Sequence, residues 1–187
     1  MRITGGILKG RQITFPSSVM DIRPSMDRMR ESVFGVLADL TGLSFLDIFT
    51  GSGIIAIEAA SRGAVIIEAV EQDKQKRKIL LENVAISPVR INCRFMPAEL
   101  YIKRAKTSFD IIFLDPPFPY QFKWELVENI ASSALVKNGT KILIHRPRTD
   151  FLKKEIPNLL KTDSREYGRS IVDFFEIEMK SELSLFS

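Results

Sequence analysis

The sequence predicts an α/β fold: a mostly parallel sheet with helices on both faces, closed by an antiparallel hairpin. Three observations carry this reading. From residue 44 to residue 145, short apolar runs alternate with helical segments of about ten residues, the pattern of successive βαβ units. The run Ile111-Ile112-Phe113-Leu114 is apolar throughout, as in a strand covered on both faces. A glycine turn, Gly51-Ser52-Gly53, stands between the first strand of the series and a helix, which is where Rossmann-like sheets carry their ligand loop.

Taken in order, residues 2–15 predict two short strands around Gly5-Gly6 with a second turn at Lys9-Gly10. Pro16 and Pro24 bracket a loop, and Ser25 or Asp27 is placed to cap a helix. Its apolar positions Val33, Phe34, Leu37 and Leu40 recur at helical spacing, and it should end near Gly42. Strands follow over 44–49, 64–70, 89–95, 109–114 and 141–145. Helices between them cover 54–62, closed by Gly63; 74–86, stopped by Pro88; 97–106, with proline in its first turn; and 123–135. The tail differs, because 159–167 and 170–179 are strand-like and meet at Gly168-Arg169 with no room for a helix. Residues 1–26 therefore form a basic N-terminal β extension, and 27–187 the main domain.

At 187 residues the chain suits one sizeable core. No apolar run approaches the roughly 20 residues of a membrane span, so no membrane partner is expected. The single cysteine, Cys93, cannot form an internal disulfide, and the N-terminus lacks a signal pattern; both suggest a cytoplasmic protein. The net charge of +4 sits entirely in residues 1–30, where six basic residues face two acidic ones. Arg2, Lys9, Arg11, Arg23, Arg28 and Arg30 are thus candidates for contact with nucleic acid, the alternative being a solvated charged face.

Asp115-Pro116-Pro117-Phe118 ends the apolar strand, since two prolines cannot continue a hydrogen-bonded ladder. Ligands collect beyond the carboxyl ends of such strands, although Asp and Pro are also ordinary turn residues. Asp47-Ile-Phe49-Thr-Gly51-Ser-Gly53 follows the first strand, where glycines let a ligand approach and the helix start offers free amides. The loop also fits the loose dinucleotide pattern, and a tight turn needs glycine anyway. Glu71 ends the next strand, 20 residues after Gly51, where an acid accepts hydrogen bonds from ribose hydroxyls. Asp73 reads as a cap for the following helix. Together these residues imply a nucleoside-bearing cofactor.

The Asp-Pro-Pro-Phe run separates the candidate cofactors. Hydride transfer has no use for an acid and a carbonyl there, whereas methyl transfer to an exocyclic amine does. The amine lone pair is delocalised into its ring, and two acceptors, Asp115 and the Pro116 carbonyl, would redirect it toward the methyl. Phe118 can stack on a base drawn out of its helix.

At these residues the chain resembles the class I S-adenosylmethionine-dependent methyltransferases, and among them the RsmD type. Those are bacterial enzymes that methylate the exocyclic amine of a guanine in small-subunit (16S) ribosomal RNA. The matching segments are Arg2-Ile-Thr-Gly-Gly with Gly10-Arg11, Arg23-Pro-Ser-Met-Asp27-Arg28-Met-Arg30-Glu31, Asp47 to Gly53, Val70-Glu71 and Asp115 to Phe118, with a weaker echo in Tyr167-Gly168. The resemblance implies S-adenosylmethionine as cofactor, no metal, and 16S ribosomal RNA as partner, free or within a small subunit or its assembly intermediate. It implies that Asp47, Phe49, Gly51 and Gly53 border the cofactor, Glu71 its ribose, and Asp115, Pro116, Pro117 and Phe118 the target guanine. The Arg23–Arg30 segment then borders the active site as well as carrying charge. A monomer is expected.

Four positions depart from the family pattern. Gly35 stands where Asn often follows Phe, and Met96-Pro97 replaces the Asp or Asn that borders the adenine. His145, the one histidine, lies where an acid is usual and is read as a strand-end residue without a catalytic part. Cys93 reads as a small core residue, and Trp124 as packing on the sheet or shielding the site. Rival readings are an amino-methyltransferase acting on another RNA or on adenine or cytosine in DNA, a nicotinamide-dependent oxidoreductase, and a non-catalytic RNA-binding module.

Overall fold

The structure, a computed structural model, describes residues 1–15, 24–151 and 154–179. The loop expected between Pro16 and Pro24, Arg23 with it, and the cap expected of the Ser25 side chain lie outside the described residues. In chain order the elements are α1 (Pro24–Leu37), β1 (Ser44–Ile48), α2 (Ile54–Ser61), β2 (Ile66–Val70), a single 3₁₀ turn (Lys74–Lys76) running into α3 (Arg77–Val84), β3 (Ile91–Arg94), α4 (Ala98–Arg104), β4 (Ile111–Leu114), α5 (Lys123–Ala131), β5 (Lys141–Pro147), β6 (Leu159–Tyr167) and β7 (Ser170–Ile177). The seven strands lie in the order β3-β2-β1-β4-β5-β7-β6. The first five are parallel, and β7 runs antiparallel to both β5 and β6. The expected doubly covered sheet with a terminal hairpin is therefore the observed one.

Alternation along the strands sorts the core into two layers. Phe45, Ile67, Ile111, Phe113 and Leu143 point to the face covered by α1 and α2, where Val33, Phe34 and Ile57 are wholly buried. Leu46, Ile48, Ile112, Leu114 and Ile144 point to the other face, against Ile102 of α4 and Leu126, Val127 and Ile130 of α5. Burying a large aliphatic side chain contributes about 1.5–3 kcal/mol, so these two layers supply most of the drive for folding.

Several boundaries depart from expectation for local reasons. Helix α1 stops at Leu37, and Ala38 takes a left-handed φ of 59°. Next to it the Asp39 carboxylate accepts the Thr41 amide at 2.9 Å, a side-chain turn that competes with further helix, so Leu40 is buried from a loop. Helix α5 stops at Ala131 for the same kind of reason: Ser133 Oγ donates back to the Ile130 carbonyl at 2.8 Å. Strand β5 runs on to Pro147, because β7 pairs with it as far as Pro147↔Ser170.

The N-terminal extension is less regular than two strands. Its pairing is a single bridge, Arg2↔Gln12, and it packs into the domain, with Ile3 and Ile13 buried in the α1–α2 layer. Thr4 donates its amide and hydroxyl to the Glu58 carboxylate of α2 at 2.7 and 2.8 Å, and Arg62 closes on the same carboxylate at 2.9 Å. A carboxylate with no exposure is thereby fully paired, as a buried charge must be.

Candidate active site

The register places one row of residues just beyond the carboxyl ends of three adjacent strands and level with them on a fourth, β5, which runs on for two more residues. Ile48 aligns with Val70 on one side and Leu114 on the other, and Leu114 aligns with Ile144. The next residue of each strand is Glu71, Phe49, Asp115 and His145, in spatial order across the sheet. All four line one cavity of about 1170 Å³, large enough for a nucleoside cofactor beside a second ligand. The far wall comes from Met26 at the start of α1, from Pro147 to Thr149, and from the hairpin turn Tyr167 to Ser170. Tyr167 braces that turn by donating to Ser32 Oγ of α1 at 2.7 Å.

The turn after β1 is built for a backbone approach. Phe49 has φ 66°, a conformation few non-glycine residues adopt, and its ring lies 5.4 Å from that of Tyr120. Gly51 has φ 57°, and an added Cβ would meet nothing nearer than the Phe49 carbonyl at 4.0 Å, so space is open over it. Gly53 serves packing instead: with φ 84°, a Cβ there would fall 2.8 Å from Leu80 of α3. Asp47 was expected to border the cofactor, but it is wholly buried beneath the turn. It accepts the Thr50 hydroxyl and the Ala56 amide, capping α2 from below. Burial pushes its carboxyl up to about 7 against the Thr50 hydrogen bond, and the charges of Asp115 and Glu71 add to the rise.

Glu71 is 4% exposed, and its two oxygens accept the amides of Gly51 at 2.9 Å and Asp73 at 2.8 Å. A carboxylate offers about four lone-pair directions, so acceptor capacity remains toward the cavity. Asp73 caps the 3₁₀ turn, accepting the Gln75 amide at 2.9 Å. Met96 lies away from this cavity, packed with Tyr101 on the α4–α5 side, where it lines a separate pocket of about 270 Å³.

On the other side of Phe49, the Asp115 amide still donates to the Ile48 carbonyl at 3.2 Å before the prolines end the ladder. Phe118 is 47% exposed on the rim. The loop is held from below by Lys123, 4% exposed, which donates to the carbonyls of Phe118 (2.8 Å) and Tyr120 and pairs with Asp150 at 2.8 Å. His145 Nδ1 lies 2.8 Å from Asp115 Oδ1, a pairing that the strand-end reading of this histidine does not anticipate. It had one signal: His145 terminates the apolar run 142–144 as Asp115 terminates 111–114. Lys123 had none, because its partners come from the folded loop. Trp124 packs its ring against Phe175 of the sheet at 6.3 Å.

The basic candidates separate. Arg30 is 1% exposed, donating to Asp27 at 2.7 Å and to the Arg2 carbonyl at 2.8 Å, so it cannot serve as an RNA contact and is corrected to a structural ion pair. Arg2, Lys9, Arg11 and Arg28 are exposed, but none lines the cavity. Lys9 belongs to the Gly6–Gly10 turn, whose Ile7 and Leu8 amides donate to Ser61. Ser61 ends α2 at the side where β2 begins, so Lys9 stands at the end of the sheet opposite the cavity. Among the described residues, the cations that line the cavity are Lys76, Arg148 and Arg169.

Sheet order, register and cavity define the Rossmann-like fold of the solved methyltransferases. The structure described as putative methyltransferase yhhF from Escherichia coli superposes with a TM-score of 0.84 at 25% identity, covering 96% of this chain and 99% of that one. The family model described as Conserved hypothetical protein 95 matches residues 1–176, and the chain belongs to that family. It is 35% identical over 121 residues to ribosomal RNA small subunit methyltransferase D of Escherichia coli (strain K12), an alignment spanning 63% of this chain and 60% of that protein. It is 28% identical over 182 residues to the putative rRNA methyltransferase YlbH of Bacillus subtilis (strain 168), spanning 94% and 98%. The family resemblance read from the sequence is thus borne out.

Proposed function

We propose that this chain transfers a methyl group from S-adenosylmethionine to the exocyclic amine of a guanine in small-subunit ribosomal RNA. The observation that carries the reading is the shared row of Glu71, Phe49 and Asp115 on one cavity, a ribose acceptor and an amine acceptor separated by a single strand. The names of the relatives support ribosomal RNA as the substrate. The residues fit the cofactor: open space over Gly51 and spare acceptor capacity on Glu71 suit a ribose diol.

Bound S-adenosylmethionine would supply a methyl on a sulfonium. The chain's part is to place the nucleophile. Asp115 and the Pro116 carbonyl accept the two amine hydrogens, drawing the nitrogen lone pair out of conjugation with the ring and toward the methyl, and Phe118 stacks on the extruded base. Glu71 and the turn at Gly51 would hold the donor, which would give up its methyl to the nitrogen as its own S–CH₃ bond breaks, leaving a neutral thioether and a positive charge on the amine. The amine then releases a proton to water at the open mouth.

Labelled cofactor incubated with small-subunit RNA tests the proposal. Incorporation should be abolished by Asp115→Ala, with affinity for S-adenosylhomocysteine kept within a few-fold. Failure of the unaltered protein to bind S-adenosylhomocysteine, or binding of NAD in its place, would overturn the reading.

A further inference from the structure

The proposed chemistry assigns nothing to His145, yet this side chain touches both residues meant to grip the base. It lies within β5 beside the tip of β4, 9% exposed, with Nδ1 2.8 Å from Asp115 Oδ1. Its ring meets the Phe118 ring edge-on, with centroids 5.6 Å apart and an interplanar angle of 67°. The other nitrogen, Nε2, is buried without a hydrogen-bond partner.

These contacts fix the tautomer. An ionised Asp115 only accepts, so the shared proton resides on His145 Nδ1. In the neutral ring Nε2 is then a bare acceptor, and leaving an acceptor unpaired costs less than burying an unpaired N–H. The ordinary preference of a free imidazole for a proton on Nε2 is reversed by this one partner.

From this we infer that His145 is a positioning residue: it holds Oδ1 of Asp115, packs in a T-shaped contact with the Phe118 ring, and leaves Oδ2 as the acceptor offered to the target amine. With one lone pair of Oδ1 turned to the protein, Oδ2 is the oxygen with both lone pairs free, so Asp115 presents its acceptor to the amine in a fixed direction beside the Pro116 carbonyl. The same ring sets the tilt of the stacking surface, so acceptor and stack are aligned by one side chain. The inference rests on the proposed methyl transfer for its consequence, while its geometric content is independent of it.

The chain has one histidine, so the untagged protein labelled with ¹⁵N-histidine gives the signal of one imidazole, a pair of resonances from its two ring nitrogens. The neutral signal should report the Nδ1–H tautomer, and Asp115→Ala should move it toward Nε2–H. An Nε2–H signal in the unaltered protein, or one indifferent to Asp115→Ala, would overturn the inference even if methyl transfer is confirmed. The kinetic arm uses two variants. His145→Ala should lower kcat about 10- to 100-fold, the scale of a misplaced reacting group, with S-adenosylhomocysteine affinity within two-fold. His145→Asn restores an N–H near the position of Nδ1 and should recover most of the loss. Equal loss in both variants, with both folded, would also overturn it. If no RNA is methylated by the unaltered protein, the functional proposal fails, and the tautomer measurement still decides this one.

Discussion

The Gly51 amide donates to Oε2 of Glu71 at 2.9 Å, tying the turn after β1 to the tip of β2. One carboxylate thus shapes the open loop and faces the cavity beside it. Glu71→Gln keeps the size but places an amide donor against one of two amide donors, Gly51 or Asp73. A hydrogen bond to a charged group contributes about 1.5–3 kcal/mol, so the dissociation constant of S-adenosylhomocysteine should rise roughly 10- to 150-fold. Calorimetric titration checks this, and unchanged affinity would remove Glu71 from the cofactor site.

Lys123 governs the opposite side of the site without lining it. Its ammonium satisfies two loop carbonyls and Asp150 from a nearly buried position, so Lys123→Met leaves all three without their donor. Asp150 is partly exposed and can recover water, which limits the loss to about 2–3 kcal/mol. The denaturation midpoint should fall accordingly. Transfer to RNA should fall more steeply than cofactor binding, because the loop that carries Phe118 is the part released.

The arginines of the N-terminal third should behave in two ways. Arg30→Ala removes a buried guanidinium from Asp27 and should lower stability by about 2–4 kcal/mol while leaving the salt dependence of RNA binding unaltered. Neutralising exposed Arg11 and Arg28 should leave stability within about 0.5 kcal/mol. It should flatten the salt dependence by about 0.7 to 0.9 of a log unit for each phosphate that the protein no longer neutralises. If the slope persists in that pair and falls with Arg148 and Arg169, the RNA path follows the hairpin rim.

Where the sequence was legible, the signal was periodic or terminal. The apolar runs mark the parallel strands, and Glu71 and Asp115 stand out because each stops such a run at a polar side chain. Burial of charge was not legible. Counting charges treats Arg30 like Arg28, although one is enclosed by Asp27 and the Arg2 carbonyl and the other faces solvent. Asp47 likewise resembles a ligand residue, but its partners are Thr50 and Ala56 below the loop. Helix ends set by Asp39 and Ser133 escape the periodicity because a side chain competing for backbone groups leaves the apolar spacing intact. The Lys123 and His145 interactions join separate loops and strands, and only the fold brings them together.

The buried Asp47 carboxyl makes stability depend on pH in a stated direction. Its folded value stands at about 7 against an ordinary 3.8, so between these limits the folded state binds more protons than the unfolded one. Stability from this group is therefore greatest below about pH 4 and is lost as pH rises toward 7. Asp110 acts oppositely: burial raises it, but hydrogen bonds from Lys137 and Ser44 outweigh that and hold it at about 2, so its contribution is lost as pH falls below 3.8. The melting temperature should accordingly peak near pH 4–5 and decline by several degrees toward pH 8. Asp47→Asn keeps an oxygen for the Ala56 amide and cannot ionise, so its profile above pH 5 should be flat and cross that of the unaltered protein. A decline of equal slope in both proteins would place the titrating group elsewhere.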